Sequence, residues 1–321
     1  MSFNEDAQLD TSQVESGGGG GYGGGGGGFP GGIQVGGGIG GLVLLVLALV
    51  FGGQNLLGGG GVGDTSGGNQ GLPGQQLQAE QVGAAGEVRS SSFSQCKSGA
   101  DANRNDVCLI IATVNSVQDY WGKTLPKYSM NYEMARTVIY QGRTQSACGT
   151  ASNQVGPFYC PLDAKVYVDA SFFAELTSKF GADGGQLAKE YVIAHEYGHH
   201  VQDLLGILNK AQQDPQGPNS GSVRMELMAD CLAGTWVKHA TETTDAQGRT
   251  MLKPITQQDI ESALSAASAV GDDRIQQKTQ GRVTPESWTH GSARARMTWF
   301  TRGWETGDLN QCNTFGVDTV S

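Results

Sequence analysis

Residues 191–202 read Tyr191-Val192-Ile193-Ala194-His195-Glu196-Tyr197-Gly198-His199-His200-Val201-Gln202, and the fold turns on what this stretch can form. Leu187, Tyr191, Ala194, Gly198, Val201 and Leu205 recur at helical spacing. They predict a long helix from Gln186 to Leu208, closing near Gly206, with one apolar stripe against a core. A helix turns about 100° per residue, so His195 and His199 lie about 40° apart on one face. Two imidazoles so placed can reach a single ion about 2.0–2.1 Å from each nitrogen. Glu196 lies about 60° from His199, where a carboxylate can take a proton from an activated water instead of binding the ion. Gly198 inside this helix costs up to about 1 kcal/mol against alanine, and close approach of another backbone is the expected reason for it.

A catalytic metal needs a third protein ligand and an open position. A second helix, expected from Val223 to Ala240, carries Glu226-Leu227-Met228-Ala229-Asp230, with its two carboxylates one turn apart. Glu226 can ligate, and Asp230 can accept the other ring N–H of a ligand histidine. The alternative is a solvated acidic face, which Ala229, Ala233 and Trp236 argue against. His200 lies about 140° from His195, and Cys231 as far from Glu226, so neither fits the same ion. His239 complements the C-terminal end of its helix. His290, between Trp288-Thr289 and Gly291-Ser292, is either an exposed loop histidine or a donor to an oxyanion.

Further out, the chain turns helical with a minority of strand, an α+β plan. Val107–Tyr120 has helical periodicity, and Lys165–Asp169 alternates as a strand. Thr256 and Asp259 open a helix through Val270, and Gly291–Gly303 suggests another. Of 51 glycines, 31 lie at or before Gly86, so the packed domain is expected over 87–321. Residues 1–32 read as a disordered acidic and glycine-rich arm, and 54–86 as a Gly/Gln-rich linker. Between them, 33–53 is a transmembrane candidate around Ile39–Phe51, with a buried helix and a signal peptide as competing readings. Six cysteines suit an oxidising compartment and allow fifteen pairings. Together with the short N-terminal segment they favour a single-pass membrane protein with its N-terminus inside and its domain outside. The net charge of −10, with no basic run, excludes the electrostatic footprint of a nucleic-acid binder.

The core His195-Glu196-x-x-His199-His200 is joined by three further blocks. These are Gly156-Pro157-Phe158-Tyr159-Cys160-Pro161 with Val166-Tyr167-Val168-Asp169, Glu226-Leu227-Met228-Ala229-Asp230-Cys231, and Thr289-His290-Gly291-Ser292 with Cys312. Over about Cys148 to Phe315 this combination resembles the putative neutral zinc metallopeptidase family of bacteria. The resemblance implies a zincin-like fold, Zn2+ held by His195, His199 and Glu226, and Glu196 as general base. It also implies Val166–Asp169 as a strand lining a peptide substrate by edge pairing, and it strengthens His290 as oxyanion donor. The expected function is a zinc endopeptidase acting on peptide or protein substrates. The alternative is a non-catalytic, zinc-stabilised membrane-anchored scaffold, which would not need Glu196. An intramembrane protease is disfavoured because Lys189, Glu190 and Asp203 share the histidine helix. The expected disulfides are Cys148–Cys160, Cys231–Cys312 and Cys96–Cys108, the second tying the C-terminal tail to the helix of Glu226.

Overall fold

The computed structural model describes residues 1–17, 93–152 and 155–321. In chain order the helices are α1 (Gly99–Ala102), α2 (Asp106–Thr124), α3 (Phe172–Ser178), α4 (Gln186–Leu204), α5 (Asn209–Gln213), α6 (Gly221–His239), α7 (Gln257–Ala269), α8 (Asp272–Gln280) and α9 (Ala293–Thr306). The strands are β1 (Val14–Ser16), β2 (Arg136–Tyr140), β3 (Arg143–Ser146), β4 (Gly149–Ser152), β5 (Phe158–Cys160) and β6 (Lys165–Asp169). Helices dominate, beside one four-stranded sheet in the order β1-β2-β6-β5 and a β3–β4 hairpin.

The helix ends follow local chemistry. Asn105 caps α2 by accepting from the N–H groups of Val107 and Cys108, and Thr256 with Asp259 forms a reciprocal capping box at α7. Gly206 and Gly307 take the left-handed conformation just beyond α4 and α9, where a Cβ would be strained. In the sheet, β1, β2 and β6 are parallel and β5 is antiparallel to β6. Side chains alternate between faces, so Ile139, Val166 and Val168 join the main helical core while Val138, Tyr140, Phe158 and Tyr167 form a second cluster. This pairing corrects one expectation. β6 is paired with β2 along its whole length and with β5 at Lys165–Tyr167, so of the expected edge strand only Val168 and Asp169 extend beyond β5, and the outer strand at that end is Phe158–Cys160.

Helix α4 runs through the centre, packed on α2, α6 and α7 and beneath β5 and β6. A Cβ at Gly198 would lie 3.0 Å from the Ala229 Cα, so glycine is what lets α4 and α6 approach there. Tyr197 ties α4 to the sheet by hydrogen bonds to Thr137 Oγ1 at 2.9 Å and to the Ala135 carbonyl at 3.2 Å.

The first residues do not match the flexible arm expected over 1–32. Residues 1–17 pack onto the domain, with Phe3, Ala7 and Val14 buried, and β1 extends the sheet through β2. Asn115 brackets Asp10, donating to its carbonyl and accepting from its N–H, and Asn4 N–H donates to the Met251 carbonyl. These bonds span 100 residues or more of sequence, so local composition carries no sign of them. The span expected over 33–53 and the linker over 54–86 lie outside the described residues. Among the described residues no helix is long and apolar enough to cross a membrane. The six cysteines pair as Cys96–Cys108, Cys148–Cys160 and Cys231–Cys312, with Cα separations of 5.0, 5.8 and 5.4 Å, within the usual span for a disulfide.

Candidate metal centre

His195, Glu196 and His199 come from the middle of α4, and Glu226 and Asp230 from the first half of α6. His195, His199 and Glu226 each bring one ligand atom to within 4.8 Å of the others. His195 Nε2 lies 3.2 Å from Glu226 Oε2, and His199 Nε2 lies 3.5 Å from Oε1. Four ligands at 2.0–2.1 Å around a tetrahedral ion are about 3.3 Å apart, so both separations match an edge of that tetrahedron. Glu226 and His199 are only partly buried, which leaves this point open on one side.

The second ring nitrogens say what the pocket wants. His195 Nδ1–H donates to Asp230 Oδ1 at 2.8 Å, because a carboxylate can only accept. His199 Nδ1–H donates to Gln202 Oε1 at 2.9 Å, and Gln202 is held in that sense by its own donation to the Met225 carbonyl at 2.7 Å. In the neutral imidazoles that a metal requires, both Nε2 atoms would therefore turn lone pairs towards the Glu226 carboxylate. A cation satisfies three acceptors so placed, a proton on His195 without metal or a metal ion in its stead, and neutral imidazoles with a carboxylate are the donor set that zinc takes.

The electrostatics agree. Burial alone would raise the Glu226 pKa, but His199, His290 and His195 hold it well below the ordinary carboxylate range. Burial alone would lower His195, yet Asp230 and Glu226 push it up to about 9, so the metal-free pocket favours positive charge there. Asp230, which burial would raise, is kept low first by Arg296 and then by His195. Glu196 is buried beside these groups. Burial pushes its carboxyl up, His195 and His199 pull it down, and Glu226 pushes it up again.

His290 faces the same centre from the loop before α9. Its Nδ1 lies 3.3 Å from Asp272 Oδ1, and its charge is coupled to Glu226. Burial would lower its pKa, but Glu226 and Asp272 raise it. Asp272 Oδ2 accepts from the backbone N–H groups of Thr289, His290 and Gly291 at 2.8, 2.7 and 2.9 Å, fixing the loop. His200 points elsewhere, its Nε2–H donating to the Glu133 carbonyl at 2.6 Å, and His239 ties α6 to the Gly307 carbonyl.

Four contributors escaped the reading of the sequence: Gln202, Asp272, Tyr191 and Arg296. Tyr191 was counted only as apolar stripe, although its hydroxyl donates to Asp230 Oδ1 at 2.5 Å. Arg296 carried a usable signal, since it shares one face of α9 with buried Trp299 and Phe300, where a charge demands a buried partner.

The family described as putative neutral zinc metallopeptidase matches residues 4–315. The uncharacterized protein Rv2575 of Mycobacterium tuberculosis is 51% identical over 226 residues, covering 70% of this chain and 76% of that protein. The uncharacterized protein YpfJ of Escherichia coli is 41% identical over 290 residues, 89% of this chain and 90% of its own length. No solved structure matches the chain.

Proposed function

The chain belongs to the putative neutral zinc metallopeptidase family, and from that premise we propose that it is a zinc-dependent endopeptidase. The observation that carries this reading is the convergence of two imidazole Nε2 atoms and a carboxylate at tetrahedral spacing, with Glu196 buried beside them. His195, His199 and Glu226 would hold the ion. When bound, zinc would supply a Lewis acid that lowers the pKa of a water molecule to roughly 7 and polarises a carbonyl oxygen.

The remaining work falls to side chains of this protein. Glu196 accepts the proton of the attacking water and returns it to the departing amine, and its burial among charged groups suits a carboxylate that must hold a proton between the two steps. His290, fixed through Nδ1 and its backbone by Asp272, offers its other nitrogen to the oxyanion that develops at the scissile carbonyl. Asp230 and Gln202 keep the two ligand imidazoles in the tautomer that leaves Nε2 free. An extended peptide would add to the outer edge of β5, which flanks the C-terminal half of α4 through the 2.7 Å bond from Tyr159 to Asp203. Three disulfides using all six cysteines favour an extracytoplasmic site of action.

Glu196→Gln is the test that separates a peptidase from a zinc-binding scaffold. The substitution removes the base and leaves the three ligands in place. Zinc content should stay at the level of the parent, while hydrolysis of a casein-type substrate falls by on the order of 10²–10⁴. Parental activity in the variant would sink the proposed mechanism.

A further inference from the structure

The Asp230 carboxylate is fully buried and receives far more than the His195 imidazole. Its Oδ1 accepts from the Tyr191 hydroxyl at 2.5 Å, from His195 Nδ1 at 2.8 Å and from Arg296 Nη2 at 2.9 Å, and its Oδ2 accepts from Arg296 Nε at 2.9 Å. The same Nη2 donates to the Tyr191 hydroxyl oxygen at 3.1 Å and lies 4.0 Å from Glu226 Oε2. Arg296 itself is 3% exposed. A guanidinium and a carboxylate taken this far from water are expensive, and an apolar pair of similar volume is often as stable. Fold stability alone therefore does not explain the pair.

We infer that Arg296 and Tyr191 are positioning residues for the metal site, acting through Asp230 to aim the His195 imidazole. An aspartate carboxylate turns freely about its last torsion. The two parallel N–H bonds of the guanidinium fork remove that freedom, as a lysine ammonium, a point donor, cannot. With the carboxylate plane fixed, Oδ1 stays in line with His195 Nδ1–H, and the Nε2 lone pair stays aimed at the point it shares with His199 and Glu226. Tyr191, one turn before His195 on α4, closes the arrangement from the helix that carries the ligand. The consequence for the architecture is specific: α9 contributes no ligand, yet it sets the direction of one. Its first turn also follows directly on the loop of His290, so residues 289–296 hold both the cleft imidazole and the guanidinium.

This inference rests on the proposed zinc site, and its test keeps the two apart. Zinc dissociation constants of the full-length protein are measured by competition with a chromophoric chelator. Melting temperatures are then taken in zinc and in excess chelator. Arg296→Lys keeps the charge and loses the fork, and its zinc dissociation constant should rise about 10–100-fold, the usual cost of removing a partner of a metal ligand. The zinc-induced rise in melting temperature should shrink in step. Tyr191→Phe removes a single donor and should weaken zinc by about 3–10-fold. A merely structural role would lower the melting temperature in chelator and leave the dissociation constant within twofold of the parent, and that result overturns the inference. If Arg296→Lys does not fold, Tyr191→Phe decides by the same criterion. A parent protein that binds no zinc would instead contradict the proposed function.

Discussion

His290 is the residue at which binding and chemistry should come apart. Its side chain is held by Asp272 and lies outside the ligand set of His195, His199 and Glu226, so His290→Ala should retain zinc with a nearly unchanged KM. Turnover should fall by on the order of 10²–10³, as for loss of one oxyanion donor. Turnover within about threefold of the parent would reduce His290 to a loop residue. Glu190 yields a second outcome, on stability. It is fully buried on α4 with neither oxygen hydrogen-bonded, and burial pushes its pKa up to about 8, with Asp259 adding to the rise and the Met1 amino group opposing it. A raised carboxyl favours the folded state fully below its ordinary value of 4.5, and that contribution is lost as pH climbs through about 8. Glu190→Gln should therefore stabilise little at pH 5.5 and most at pH 8.5, by on the order of 3–5 kcal/mol at the upper end. Melting curves whose mutant-to-parent difference does not grow with pH would refute this. The ligand candidates were legible because His195, His199, Glu226 and Asp230 obey helical spacing within two segments. The partners of Arg296 and Asp272 were not, because each is met only through tertiary packing, across 66 residues to Asp230 and 18 to His290, even though a charge on the buried face of α9 marks Arg296 as needing one.

Among the elements, those with strong local signals were readable to within a few residues. Helix α4 was expected over Gln186–Leu208 and runs Gln186–Leu204, and the box at Thr256 opens α7 as anticipated. The strand at Lys165–Asp169 was found by its alternation, but not its place in the sheet. Alternation records which side chains share a face and is silent on which backbone lies alongside, so it gives no sign that β5 covers Lys165–Tyr167. Helix α8 has no apolar stripe of its own and went unread, although it supplies the aspartate that fixes His290. The glycine inside α4 was rightly tied to a close crossing, now located against Ala229 of α6.

At the scale of the whole molecule, the described residues 1–17, 93–152 and 155–321 share one sheet and one core, so both ends of this body must lie on the same side of any membrane. This is at odds with an N-terminus inside and a domain outside. Glu5→Cys and Ser321→Cys, made separately, should label alike with a membrane-impermeant maleimide on intact cells, and among the described residues no free cysteine competes. Opposite labelling would contradict the packing of the N-terminal strand. Two of the disulfides close local loops of sequence separation 12, whereas Cys231–Cys312, at separation 81, anchors the tail behind α9 to the helix of Glu226. The proposed peptidase chemistry depends on one ion held between α4 and α6. Its most direct test is zinc content, measured on the purified full-length protein and on Glu226→Ala, with casein hydrolysis followed in parallel. The parent should carry about one zinc per chain and lose hydrolysis reversibly to a chelator, while the variant should carry far less and hydrolyse nothing. A Glu226→Ala protein that still holds about one zinc per chain, or a parent that hydrolyses casein after its metal is stripped, would contradict it.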